Sequence, residues 1–168
     1  MHIEPTHDPN AHSEYPPVVE PVHVILDIPV YYKQYGDEIL PVHAPIVCSR
    51  HLSETILAVL ERELKAAGKA LVHLGVYCQR MARHKDGTPI HPKRFSNHAL
   101  GAGIDWAGYA ELDGSDWWDV SNDEAQPLVL RIQTAVSASL SAAGLRQEIV
   151  NEGDWLHLGY FPPPLDRR

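Results

Sequence analysis

Ser96-Asn97-His98-Ala99-Leu100-Gly101-Ala102-Gly103-Ile104-Asp105, with Asp154-Trp155-Leu156-His157 near the C-terminus, decides the reading of this chain. The first stretch sets an imidazole and a carboxylate seven residues apart around two glycines. Gly101 and Gly103 allow a tight turn and a close backbone approach. A chain that leaves a loop at His98, turns, and enters a strand at Asp105 aims both side chains at one point. A late strand carrying His157 adds a third ligand if it pairs antiparallel beside the Asp105 strand. A catalytic zinc takes three protein ligands and keeps one position for water. With one carboxylate among the three, the net charge of the site stays near +1. Asp154, three residues before His157, is placed to reach that water as general base and then to protonate the leaving amine. The expected cofactor is therefore Zn2+, held by His98, Asp105 and His157.

Working outward, residues 102–107 read as the strand that carries Asp105. Residues 70–77 (ALVHLGVY) read as a buried strand, with His73 as a partnered core histidine. Residues 53–67 read as a helix, because Ile56, Leu57, Leu60 and Leu64 recur at helical spacing. Gly68 supplies its left-handed stop. Residues 22–28 alternate loosely and suit a strand. Pro41 and Pro45 mark a loop, residues 82–95 a basic surface loop, and residues 108–120 a connection. Ser121-Asn122-Asp123-Glu124 has the form of a capping box. Pro127 would sit too deep in a helix begun there, so a helix over 127–143 is the alternative. Residues 145–150 and 155–159 read as a terminal hairpin, and Pro162-Pro163-Pro164 ends regular structure. Blocks of helix and paired late strands favour an α+β fold with helices packed on a small antiparallel sheet.

The length of 168 residues suits one core. Residues 1–21 hold five prolines and scattered charge, and are expected to form an extended or disordered arm before a single domain over 22–168. A net charge of −8 argues against a nucleic-acid partner, which would need a basic face. No apolar run approaches the roughly 20 residues of a membrane span. Residues 1–15 are polar and lack the apolar stretch of a secretory signal. Of the 11 histidines, most lie in polar or proline-flanked segments and read as surface groups. Cys48 and Cys78 are the only cysteines, and counting leaves one disulfide and two free thiols equally open.

The two metal motifs resemble the zinc D-alanyl-D-alanine carboxypeptidase and dipeptidase group, whose pattern is S-x-H-x-x-G-x-A-x-D followed by E/D-x-x-H. Within that clan the chain is most similar to bacterial extensin-like C-terminal domains. The matching residues are Cys48, the segment GVYCQR over 75–80, Ser96 to His98, and IDWAG over 104–108. The likeness spans residues 41–159. Gly103 stands where the pattern has Ala, and Leu156 where a Pro usually precedes the last His.

The resemblance implies a Hedgehog/D-Ala-D-Ala peptidase-like fold and a zinc metallopeptidase acting on peptide bonds of D-amino acids in peptidoglycan peptides. It implies His98, Asp105 and His157 as ligands and Asp154 as base. Arg80 becomes the cation facing the oxyanion, with Arg83 its rival, and Ser96 lies at the substrate or orients the His98 loop. It also favours a Cys48–Cys78 bridge, and a place of action at the cell wall, whether periplasmic, extracellular or phage-delivered. A non-catalytic, zinc-stabilised wall-binding or structural module of the same fold is the alternative. Trp106, Trp117, Trp118 and Trp155 suit either the walls of a cleft or the core.

Overall fold

Alternation of side chains fixes the sheet that carries the site. In the computed structural model, which describes residues 1–34 and 36–163, β7 (Gly103–Ala110) buries Ile104 and Trp106 in the main core. Successive side chains of a strand point to opposite faces, so Asp105 turns to the other side. β10 (Leu156–Phe161) repeats the pattern, with Leu156, Leu158 and Tyr160 in the core. His157 therefore shares a face with Asp105, and the antiparallel register sets the two directly opposite each other. β9 (Arg146–Asn151) completes the late hairpin, pairing Val150 with His157 and Glu148 with Gly159.

The large sheet runs β4 (Ile39–Pro41), β3 (Val30–Lys33), β6 (Ala70–Gly75), β7, β10, β9, with β8 (Trp117–Asp119) also on β7. It is mixed rather than wholly antiparallel, because β3 and β6 run parallel. A separate antiparallel sheet orders β1 (His2–Pro5), β2 (Pro21–Ile25) and β5 (Ile46–Ser49). Two helical segments pack on these sheets. The first comprises α1 (Arg50–Leu52), a π-helical turn (Ser53–Leu57) and α2 (Ala58–Ala66). Ile56, Leu57, Leu60 and Leu64 are fully buried along it, as their spacing predicts. It begins three residues earlier than expected, because Ser49 caps it by accepting from Leu52 N–H.

The second helix, α3 (Gln126–Ala142), buries Val129, Ile132, Val136 and Leu140. Pro127 lies in its first turn, where its missing N–H costs nothing. Asn122, not Ser121, caps the short 3-10 turn before it, so the expected box does not form. The Ser121 hydroxyl instead bonds Asp119 at 2.5 Å.

The N-terminal segment is an integral part of the fold. β1 pairs with β2, and the expected boundary after residue 21 cuts β2 itself. Asn10 is buried: its amide donates to Pro16 O and Ala99 O at 2.7 Å each, and its oxygen accepts from Tyr77 and Gln79. Each such bond contributes on the order of 1 kcal/mol, so polar anchoring orders a segment that apolar content alone would leave loose. Of the expected 22–168 domain and its proline tail, residues 35 and 164–168 lie outside the described residues. Among the described residues no helix is long and apolar enough to cross a membrane.

Candidate metal centre and cleft

His98 is placed by a capped turn. Ser96 Oγ accepts from His98 N–H at 3.3 Å and starts a 3-10 turn over Asn97–Leu100. Gly101 closes it in the left-handed region at φ 64°, where a side chain would press on Ser49 N from 2.8 Å. Inside the turn, His98 Nδ1 lies 2.8 Å from Val76 O. A carbonyl only accepts, so Nδ1 carries a proton there, and Nε2 is the nitrogen left to face Asp105 or a metal ion. Nε2 sits 3.1 Å from Asp105 Oδ1, and His157 Nδ1 sits 3.1 Å from the same oxygen.

Donor atoms of His98, Asp105 and His157 all fall within 4.8 Å of one another. Two imidazole nitrogens converging on one carboxylate oxygen suit a shared cation. These are nitrogen and oxygen donors of the kind that zinc takes. Both histidines are buried and Asp105 nearly so. Burial pushes the Asp105 carboxyl up, but hydrogen bonds and charge from His157 and His98 outweigh it and hold it below the usual carboxylate range. The three residues could therefore bind a metal ion. The group numbers three among the described residues, whereas a structural zinc site takes four ligands.

They lie at the floor of an open cleft of about 1060 Å³. Arg80 and Ser96 line the same cleft, with Arg80 Nη2 4.0 Å from Asp105 Oδ2 and its buried Nε unpartnered among the described residues. Arg83, His84 and Lys85 form part of the wall. They belong to a narrow loop closed by contacts between Met81 and Phe95 and between Arg83 and Pro89.

Asp154 is not brought to this cluster. It is exposed in the turn between β9 and β10, outside the residues that line the cleft. The reason is where the strand begins: β10 starts at Leu156, and Gly153 turns the chain at φ 90°. Counting back three from His157 leaves the strand. Alternation along β9 instead sets Glu148 and Val150 on the His157 face, and Glu152 continues that row; all three line the cleft. The signal for them was the period-two spacing of 148, 150 and 152 opposite a ligand strand.

The expected Cys48–Cys78 bridge is absent; both thiols are free. Cys48 points into the main core from β5, where burial pushes its thiol up to about 12. Cys78 is exposed in the segment after β6. Of the tryptophans, Trp155 lines the cleft and Trp106 fills the core, donating to Gly108 O at 2.7 Å. Trp117 and Trp118 lie on β8, under Lys33 and Lys69. His73 is buried as expected but, among the described residues, unpartnered at both ring nitrogens, and burial pushes it down to about 4.

No family model, curated protein or solved structure matches the chain.

Proposed function

We propose that the protein is a zinc-dependent hydrolase of peptide bonds involving D-amino acids, with peptidoglycan peptides as substrates. The observation that carries the reading is the three-donor group of His98, Asp105 and His157 opening onto a large cleft. The resemblance of its two motifs to the zinc D-alanyl-D-alanine carboxypeptidase and dipeptidase group supplies the substrate class. A bound zinc ion would supply Lewis acidity and lower the pKa of a water. Arg80 would face the oxyanion, a role suited to a cation at the cleft floor. Ser96 holds the His98 turn in place. For the base, Glu152 lines the cleft and its carboxylate has no hydrogen-bond or ion-pair partner among the described residues, while Asp154 stands outside it. We therefore assign proton transfer to Glu152 ahead of Asp154.

One observation favours the second reading, a metal-stabilised wall-binding module: the carboxylate expected as base is exposed and lies outside the residues that line the cleft. A muropeptide digest with the zinc-loaded chain decides between them. Wild type is expected to release a peptide fragment, Glu152→Gln to slow it roughly 10²–10⁴-fold with zinc retained, and Asp154→Asn to act like wild type. If Asp154→Asn alone abolishes turnover, the base is Asp154. If zinc binds and no muropeptide is cut, the binding module stands.

A further inference from the structure

His157 presents an unusual edge to the site. Its Nδ1 faces Asp105 at 3.1 Å, and its Nε2 is buried with no hydrogen-bond partner among the described residues. The ring lies against two glycines on neighbouring strands. A Cβ on Gly103 would stand 2.7 Å from His157 Cε1, and a Cβ on Gly159 2.9 Å from Nε2. Gly159 pairs with Gly103 on one side and with Glu148 on the other. The bare row therefore leaves a clear path from Nε2 to the Glu148 carboxylate, whose Oε1 lies 3.9 Å away. That carboxylate is itself fixed: Asn97 Nδ2 donates to one oxygen and Arg94 Nη2 to the other at 3.2 Å. Asn97 is the neighbour of His98 and also donates to Tyr160 O at 3.0 Å.

We propose that Glu148 is the positioning residue for His157, holding the proton on Nε2 so that Nδ1 offers its lone pair to the ion. This rests on the three residues being a metal site. A metal-bound imidazole commonly donates its other N–H to a carboxylate or a backbone carbonyl, which fixes the tautomer and the ring plane. His98 already does so through Val76 O. Glu148 is the corresponding acceptor for His157, and an anionic oxygen facing Nε2 disfavours a lone pair there. The gap of 3.9 Å is about 1 Å longer than an ordinary N–H···O bond, and Nε2 has no hydrogen-bond partner nearer than this among the described residues. The two ligands thus use opposite nitrogens, and one carboxylate ties the second ligand to the turn that carries the first.

The test is long-range proton–nitrogen NMR of the zinc-loaded chain, with zinc affinity measured by competition against a chromophoric chelator. Wild type is expected to show His157 protonated at Nε2 and coordinated through Nδ1. Glu148→Gln should weaken zinc binding roughly 10–100-fold. Arg94→Gln, which removes the ion pair without touching His157, should stay within about threefold of wild type. The wild-type spectrum needs no variant to fold. Zinc bound through His157 Nε2, or Glu148→Gln binding as wild type does, overturns the assignment and leaves the metal site standing. Equal losses in Glu148→Gln and Arg94→Gln overturn it too, because Glu148 would then serve only to anchor the loop. Wild type that takes up no zinc overturns both the site and the assignment.

Discussion

The floor and the wall of the cleft are built by different physics. The floor is a strand pair and a capped turn, with His98, Asp105 and His157 held by register, burial and each other. The wall is the exposed loop through Arg83, His84, Lys85 and Asp86, closed by two isolated bridges and attached by surface contacts. Sites on rigid elements keep geometry, while exposed loops tolerate change and set what is bound. Changes to the floor should therefore be felt in metal binding and stability, and changes to the wall chiefly in substrate handling.

The largest effect expected is the loss of a ligand. Wild type should hold about one zinc per chain, and His98→Ala or His157→Ala should each take it up at a small fraction of that. Zinc at a thousandfold its dissociation constant stabilises a folded protein by about 4 kcal/mol, so a zinc-dependent rise in melting temperature should also vanish. Elemental analysis and thermal melts with and without chelator check both. Undiminished zinc in the two variants would show that the floor is not the site.

His73 sharpens the comparison from within the buried part. It lies on β6 opposite Trp106, edge-on to the Tyr32 ring at 5.7 Å, and neither nitrogen finds a partner among the described residues. Unfolded, it titrates near 6.5; folded, near 4. The unfolded chain therefore binds the extra proton between those values. Stability from keeping His73 neutral is whole above pH 6.5 and is lost as pH falls towards 4. The gap is worth on the order of 3 kcal/mol. Urea unfolding of the metal-free chain, near pH 7.5 and near pH 4.5, should show His73→Leu losing that much less than wild type. Parallel losses in the two proteins would mean that His73 takes up its proton in the folded state.

The same contrast explains what the sequence revealed. The candidate ligands, His98 on a capped turn and Asp105 and His157 on strands, were legible because alternation, glycine spacing and residue chemistry all act locally: the three meet as the two motifs suggest. The helices were legible from Leu60, Leu64, Ile132 and Leu140 for the same reason. Asp154 was misplaced because its position depends on where β10 begins, and the Gly153 turn sets that. Cys48 and Cys78 could not be settled by counting, since pairing depends on which way β5 faces. The arm was underestimated because Asn10 is held by partners up to 89 residues away, which no local pattern records. Glu148 escaped notice because its neighbours, Asn97 and His157, lie on other elements.

The smallest expected effect tests the wall. Lys85 lies 5.1 Å from the Trp155 ring centroid and donates to Glu152 O, so it is the link between the exposed loop and the β9–β10 turn. The side chain is exposed, and an exposed cation–π contact contributes about 0.5–1 kcal/mol. Lys85→Ala should therefore cost at most about 1 kcal/mol in urea unfolding. No ligand depends on it, so zinc affinity should stay within about twofold of wild type. Its consequence belongs to the cleft, which the loop and Trp155 both line; under the proposed hydrolase function, a raised KM with kcat held is the expected pattern. If Lys85→Ala instead weakens zinc as strongly as a ligand change does, floor and wall are one cooperative unit. The exposed loop would then be part of the metal site, with Glu152 the link through which Lys85 acts.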